Sequence, residues 1–125
     1  MKNALAVGLG GFFGCIARYL TGVLIVRLFD APVFPYATLV VNVVGCLLIG
    51  LLGQLAENTE LISPGMQLFL IVGVLGGFTT YSAFGYQTLI LARDGRMLSA
   101  VLNVSGHVIL GLGAVWLGML IAKQI

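Results

Sequence analysis

The sequence predicts an all-α membrane protein of four transmembrane helices, the third of them broken near mid-membrane. Three observations carry that expectation. Of the 125 residues, 60% are hydrophobic and only 8% are charged, against about 25% charged in a soluble domain. The charges stand as punctuation between charge-free runs at 31–56, 61–92 and 97–122, with a further run at 3–26 interrupted only by Arg18. Each run is long enough for the ~20 apolar residues of a spanning helix. Finally, the run from Leu61 to Ala92 would measure roughly 48 Å as one helix, whereas a hydrocarbon core is about 30 Å thick. It must tilt strongly, start outside the bilayer, or be interrupted.

The first helix is expected over about 4–27. Gly10, Gly14, Arg18 and Gly22 follow one another at i, i+4, which makes one face smooth except for an arginine. Arg18 is charged at any ordinary pH and requires a solvated mouth, a counter-ion or a carbonyl cage. Its distance from the helix start, roughly 22 Å, favours a vestibule over the bilayer centre. Lys2 before an apolar run imitates a secretory signal, and Phe13-Gly14-Cys15 imitates a lipoprotein cleavage site. Both readings are poor, because Arg18 follows at once and the A-x-A-like pattern is absent.

The second helix is expected over about 36–56, after Pro32 and Pro35. It sets Thr38, Asn42, Cys46 and Gly50 on one face. Asn42 either bonds a neighbouring helix or lines a path for solute, and the small-residue face favours the path. Thr38, like Thr88 and Ser105, belongs to a class that often bonds its own backbone. Cys15 and Cys46 sit in different apolar helices without C-x-x-C spacing, as small buried hydrophobes do.

The third helix, about 65–92, begins at Ser63-Pro64, a capping residue followed by a proline suited to a first turn. Gly76-Gly77 followed by Thr79-Thr80-Tyr81-Ser82 marks the interruption. Irregular backbone at that depth survives only where protein or a polar path surrounds it. The fourth helix, about 97–122, follows the Asp94-Gly95 turn and aligns Asn103, His107 and Gly111, with Gly118 close to the same line. A satisfied, neutral imidazole is favoured for His107 over a proton relay. The four helices are expected to form a single transmembrane domain, 1–125.

Composition excludes several function classes. A net charge of +2 is too small and dispersed for a nucleic-acid partner. No Asp or Glu lies inside any proposed span, although proton-driven transporters normally carry protons on intramembrane carboxylates. Catalytic triads, H-E-x-x-H and phosphate-binding loops are absent, and Gly8-Leu9-Gly10 lies in a helix start rather than after a strand, so no enzyme is expected. With an even number of spans, Lys2 and Lys123 share one side, and Arg27, Arg93 and Arg96 the other, with Arg18 a marginal fourth. Positive-inside bias then barely favours either orientation. That balance fits subunits inserting both ways and pairing antiparallel, and equally fits a weak bias read correctly.

What remains is a passive route for a small solute. Neutral donors such as the Asn42 amide and the threonine and serine hydroxyls suit an anion. The positive rims of Tyr81 and Phe84 would hold it without full charge, and transport requires that it also leave. Carbonyls freed at the helix break suit a cation.

At these residues the chain resembles a known family. Gly10-Gly11-Phe12-Phe13-Gly14-Cys15-Ile16-Ala17-Arg18-Tyr19, Thr38-Leu39-Val40-Val41-Asn42 and Gly73-Val74-Leu75-Gly76-Gly77-Phe78-Thr79-Thr80-Tyr81-Ser82-Ala83-Phe84, taken in order, are similar to the CrcB (Fluc) family of small fluoride channels. The resemblance covers essentially the whole chain. It implies a multi-pass protein of the bacterial inner membrane, an antiparallel dual-topology homodimer with two fluoride pores, and a structural sodium ion at the dimer centre. By position, Asn42 matches a pore asparagine, and Tyr81 and Phe84 match paired pore phenylalanines. Gly76 and Thr79 match the residues whose backbone carbonyls hold sodium. Thr38 falls on the pore side, and Arg18 matches a first-helix arginine near the mouth. The hydroxyls of Thr80 and Ser82 complete the candidate fluoride pore.

Three positions depart from that pattern. Tyr81 adds a hydroxyl to the first aromatic, Gln87 stands where many relatives are acidic, and Gly111 and Val115 thin the hydroxyl track of the fourth helix. Some relatives pair unlike subunits, so a heterodimer is compatible with the resemblance. Two rival classes are a small four-helix multidrug exporter, which would need a first-helix carboxylate that this chain lacks, and a non-transporting membrane assembly subunit.

Overall fold

A computed structural model describes residues 1–29, 33–58 and 62–125. The helices are α1 (Lys2–Leu28), α2 (Tyr36–Asn58), α3 (64–78), α4 (Tyr81–Arg93) and α5 (Met97–Ala122), and no strand occurs among the described residues. Among the described residues, four stretches are long and apolar enough to cross a membrane: Lys2–Leu28, Tyr36–Glu57, Pro64–Arg93 and Met97–Ala122. These bounds differ by at most about two residues per end from the sequence expectation, the ordinary uncertainty of helix ends. The connecting residues Asp30, Pro32 and Glu60 lie outside the described residues.

Local chemistry sets the helix ends. Ser63 caps α3, its hydroxyl accepting from the Met66 N–H at 3.3 Å, with Pro64 in the first turn. α4 ends in a Schellman arrangement: Gly95 N–H donates to the Ala92 carbonyl at 3.1 Å and Arg96 N–H to the Leu91 carbonyl at 2.9 Å. That closure needs a residue at positive φ, which Gly95 supplies at 76°. Arg93 and Asp94 approach to 3.5 Å on the exposed surface, where such a pair adds little stability.

Packing runs through glycine. α1 lies against α3 so closely that a Cβ on Gly10 would fall 2.9 Å from the Gly73 Cα, and one on Gly14 would fall 2.8 Å from the Phe78 nitrogen. α2 lies against α5, where a Cβ on Gly118 would fall 2.8 Å from the Leu51 nitrogen. Membrane helices lack a hydrophobic drive toward one another and depend on such close backbone approach. The rest of the burial pattern agrees. The most enclosed side chains are Val41 and Asn103, one of them polar, whereas Leu9, Phe12, Phe13, Ile109 and Trp116 face outward.

Leu68–Leu75 forms a π-helix between short α-helical turns, Pro64–Gln67 and Gly76–Phe78, and its glycine, Gly73, is the one against Gly10. Runs of π-helix are rare and gather at functional sites.

Candidate functional site

Between α3 and α4 the backbone leaves the helical region for two residues. Thr79 has φ −82° and ψ 159°, and Thr80 has φ −151° and ψ 112°. Four freed groups are then met by side chains. The Thr80 N–H donates to Asn42 Oδ1 at 2.8 Å, and Asn42 Nδ2 donates to the Thr80 carbonyl at 3.1 Å. Arg18 Nη1 donates to the Thr79 carbonyl at 3.1 Å. The Thr80 hydroxyl caps α4 by accepting from the Ala83 N–H at 3.3 Å. Because the Thr80 N–H goes to Asn42, the Gly76 carbonyl loses its usual helical donor four residues on. Thr79 is anchored in turn: its N–H and its hydroxyl both donate to the Leu75 carbonyl at 2.9 Å.

Two cavities flank this extended step. One, of about 440 Å³, is lined by Asn42, Gly76, Thr79, Thr80, Tyr81, Phe84 and His107 among others. The other, of about 400 Å³, is lined by Arg18, Gly22, Thr38, Thr80 and Ser82. Thr80 lines both, and nearly enclosed Val41 lines the second. The structure thus divides the sequence-derived set: Asn42, Tyr81, Phe84, Gly76 and Thr79 share one chamber, while Thr38, Ser82 and Arg18 share the other. Neither chamber has a carboxylate among its lining residues.

The first chamber has an aromatic wall. The Tyr81 and Phe84 rings lie 5.7 Å apart at 51°, and the Phe84 and His107 rings 4.3 Å apart at 40°. Tyr81 is 84% exposed, so the wall is open on its outer side. An amide nitrogen carries two protons, and one of those on Asn42 remains after the bond to Thr80. Asn42 therefore both bridges helices and keeps a donor at the chamber.

A hydrogen-bond chain ties α4 to α5. Thr88 donates its hydroxyl proton to the Phe84 carbonyl at 2.7 Å and accepts from Asn103 Nδ2 at 2.8 Å. His107 Nδ1 lies 2.8 Å from the Asn103 carbonyl. Buried Gln87 Oε1, Asn103 Oδ1 and His107 Nε2 have no hydrogen-bond partner among the described residues. Thr88 and Ser105, which bonds the Val101 carbonyl at 2.9 Å, satisfy the expectation of local bonding. His107, for which a satisfied neutral imidazole is expected, is bonded at Nδ1 alone and lines the first chamber. Its i, i+4 spacing from Asn103 and Gly111 sets the three on one face of α5.

The profile of the CrcB-like, Camphor Resistance (CrcB) family matches residues 5–119. The chain belongs to the CrcB family. A fluoride-specific ion channel FluC of Flavobacterium psychrophilum is 43% identical over the whole of both chains. That of Chlorobaculum tepidum is 46% identical over 98% of this chain and 96% of the relative. That of Geobacter sulfurreducens is 44% identical over the whole of both chains. Family membership and four apolar helices together make this CrcB protein a multi-pass membrane protein.

Proposed function

We propose that this CrcB protein is a passive fluoride channel of the bacterial inner membrane that lowers cytoplasmic fluoride. The observation that carries the reading is the chamber at the extended step. It combines an uncommitted Asn42 N–H, paired rings of Tyr81 and Phe84, and no carboxylate, on a chain 43% identical to a fluoride-specific channel. Neutral donors and aromatic rims compensate a dehydrated anion without fixing it by full charge. A passive route suffices, because hydrogen fluoride enters as a neutral acid and dissociates inside, and an inside-negative potential drives the anion out.

In this reading the extended step lies at mid-membrane. Fluoride passes Asn42, Thr80, Tyr81 and Phe84 on one side and Thr38 and Ser82 on the other, with Arg18 at the vestibule. Two subunits pair antiparallel. The openness of the chamber beside the exposed Tyr81 supports that pairing, since a partner would enclose it. A homodimer is the simpler assembly, because one chain supplies every group named.

The Gly76 and Thr79 carbonyls are the proposed sodium ligands. Their chemistry fits: both are neutral backbone oxygens, Gly76 in the last helical turn before the extended step and Thr79 within that step, the type of donor that coordinates alkali cations within membranes. Gly76 lacks its helical donor, and Thr79 keeps one lone pair beside its bond to Arg18. The ion would join the breaks of two subunits. A tenfold fluoride gradient across a planar bilayer holding the protein tests the function. The reversal potential should sit at the fluoride equilibrium value, and a potential set by any other ion rejects the reading.

A further inference from the structure

We propose that Asn103 is a positioning residue for permeation, holding the Phe84 and His107 rings at the spacing that shapes the wall of the first chamber. The proposal rests on the fluoride reading above and deepens it.

Asn103 lines neither chamber and is completely enclosed. Its side chain nevertheless makes the one side-chain hydrogen bond that runs from α5 to α4 among the described residues, Nδ2 donating to the Thr88 hydroxyl at 2.8 Å. Thr88 in turn donates to the Phe84 carbonyl at 2.7 Å. On its own helix, the Asn103 carbonyl lies 2.8 Å from His107 Nδ1. The two rings anchored in this way sit 4.3 Å apart. One residue therefore governs where α4 carries Phe84 relative to where α5 carries His107. Phe84 presents a positive rim to an anion, so its place against α5 sets the width and potential of the path beside it.

Stability does not account for an asparagine here. Its Oδ1 is buried without a hydrogen-bond partner, and an enclosed, unsatisfied acceptor costs free energy. Interhelical hydrogen bonds within membranes return little of that. Leucine, close in volume, has no polar atom to strand, and Thr88 would keep its bond to the Phe84 carbonyl. The asparagine is thus a local cost at the residue that touches the anchors of both rings. Such breaches of polar satisfaction gather at functional sites.

Asn103→Leu in the full-length protein in lipid separates positioning from packing, because the two roles move flux and stability differently. Fluoride efflux at equal protein loading should fall at least about threefold, the equilibrium worth of one interhelical bond. The melting temperature should stay at or above that of the wild type. A fall in both would make Asn103 a packing residue and overturn the proposal, as would unchanged efflux. His107 is the single histidine, so ¹³C labelling of histidine reports the ring that faces Phe84. At one fixed pH its ring-proton resonances should shift in Asn103→Leu, as the ring current of Phe84 moves away; unshifted resonances overturn the proposal. Thr88→Ser keeps the hydroxyl and should preserve both the efflux and the resonances. Asn103→Leu combined with Thr88→Val should lose no more efflux than Asn103→Leu alone, since the pair acts as one unit, and an additive loss contradicts the proposal. The wild type separates the two readings. Shifted resonances in a protein whose wild type passes no fluoride keep the ring-positioning role and remove the fluoride channel.

Discussion

Asn42 and Thr80 are joined twice, the amide oxygen taking the Thr80 N–H at 2.8 Å and the amide nitrogen giving to the Thr80 carbonyl at 3.1 Å. One side chain from α2 thus replaces the backbone partners that the extended step leaves behind. Asn42→Ala should both silence fluoride flux and lower thermal stability in detergent, because each stranded buried group costs about 1–3 kcal/mol. Asn42→Asp separates the two effects. It keeps the acceptor for Thr80 but removes the donor and adds charge, so flux should fall further than stability. Full flux in Asn42→Asp would remove the asparagine from the ion path.

Gly14→Leu should prevent stable folding, since even a Cβ there would fall 2.8 Å from the Phe78 nitrogen, a backbone atom that cannot yield. Overpacking typically costs about 1–3 kcal/mol and sometimes more. Gly113→Ala, with open space around the added carbon, is the control. A normal melting temperature for Gly14→Leu would contradict the close α1–α3 approach.

Gly76→Ala tests the proposed cation site and the proposed dimer that would share it. Its backbone is ordinary helix, φ −62° and ψ −37°, and an added Cβ meets nothing within 4 Å inside the subunit. The subunit fold should therefore survive, measured by helical circular dichroism. Loss of dimer in cross-linking, or loss of its dependence on sodium, would then come from the partner's side. A dimer indifferent to both the substitution and sodium would oppose the proposed ligands.

Tyr81→Phe should conduct as well as the wild type or faster, whereas Phe84→Ile should lose most flux. Both aromatics offer a positive rim, but only the tyrosine adds a hydroxyl that deepens binding and slows exit. Phe84 is also the ring against His107. The reverse ranking, at equal protein loading, would make the hydroxyl the essential donor.

The helices were legible because charge placement and length fix spans almost without reference to packing. Ser63-Pro64 and Asp94-Gly95 marked two ends by their own chemistry. The glycine spacing of Gly10 and Gly14 correctly implied a close partner, though not that α3 would provide it. Other features depend on contacts distant in sequence. The Arg18 bond to Thr79 spans 61 positions and the Asn42 bonds to Thr80 span 38, so periodicity could place those side chains on faces but not on atoms. The π-helix at Leu68–Leu75 has no side-chain signature in an apolar run. The division of the polar set into two chambers sharing Thr80 likewise follows from three-dimensional packing alone.

This chain alone should pass fluoride passively and selectively, which ion release from liposomes reads out. Vesicles containing only this protein are loaded with potassium fluoride, or with potassium chloride in parallel, and a potassium ionophore relieves the charge. Fluoride should appear outside well above the protein-free level while chloride stays inside. Retention of fluoride, or release of both anions alike, would rule out a selective fluoride channel.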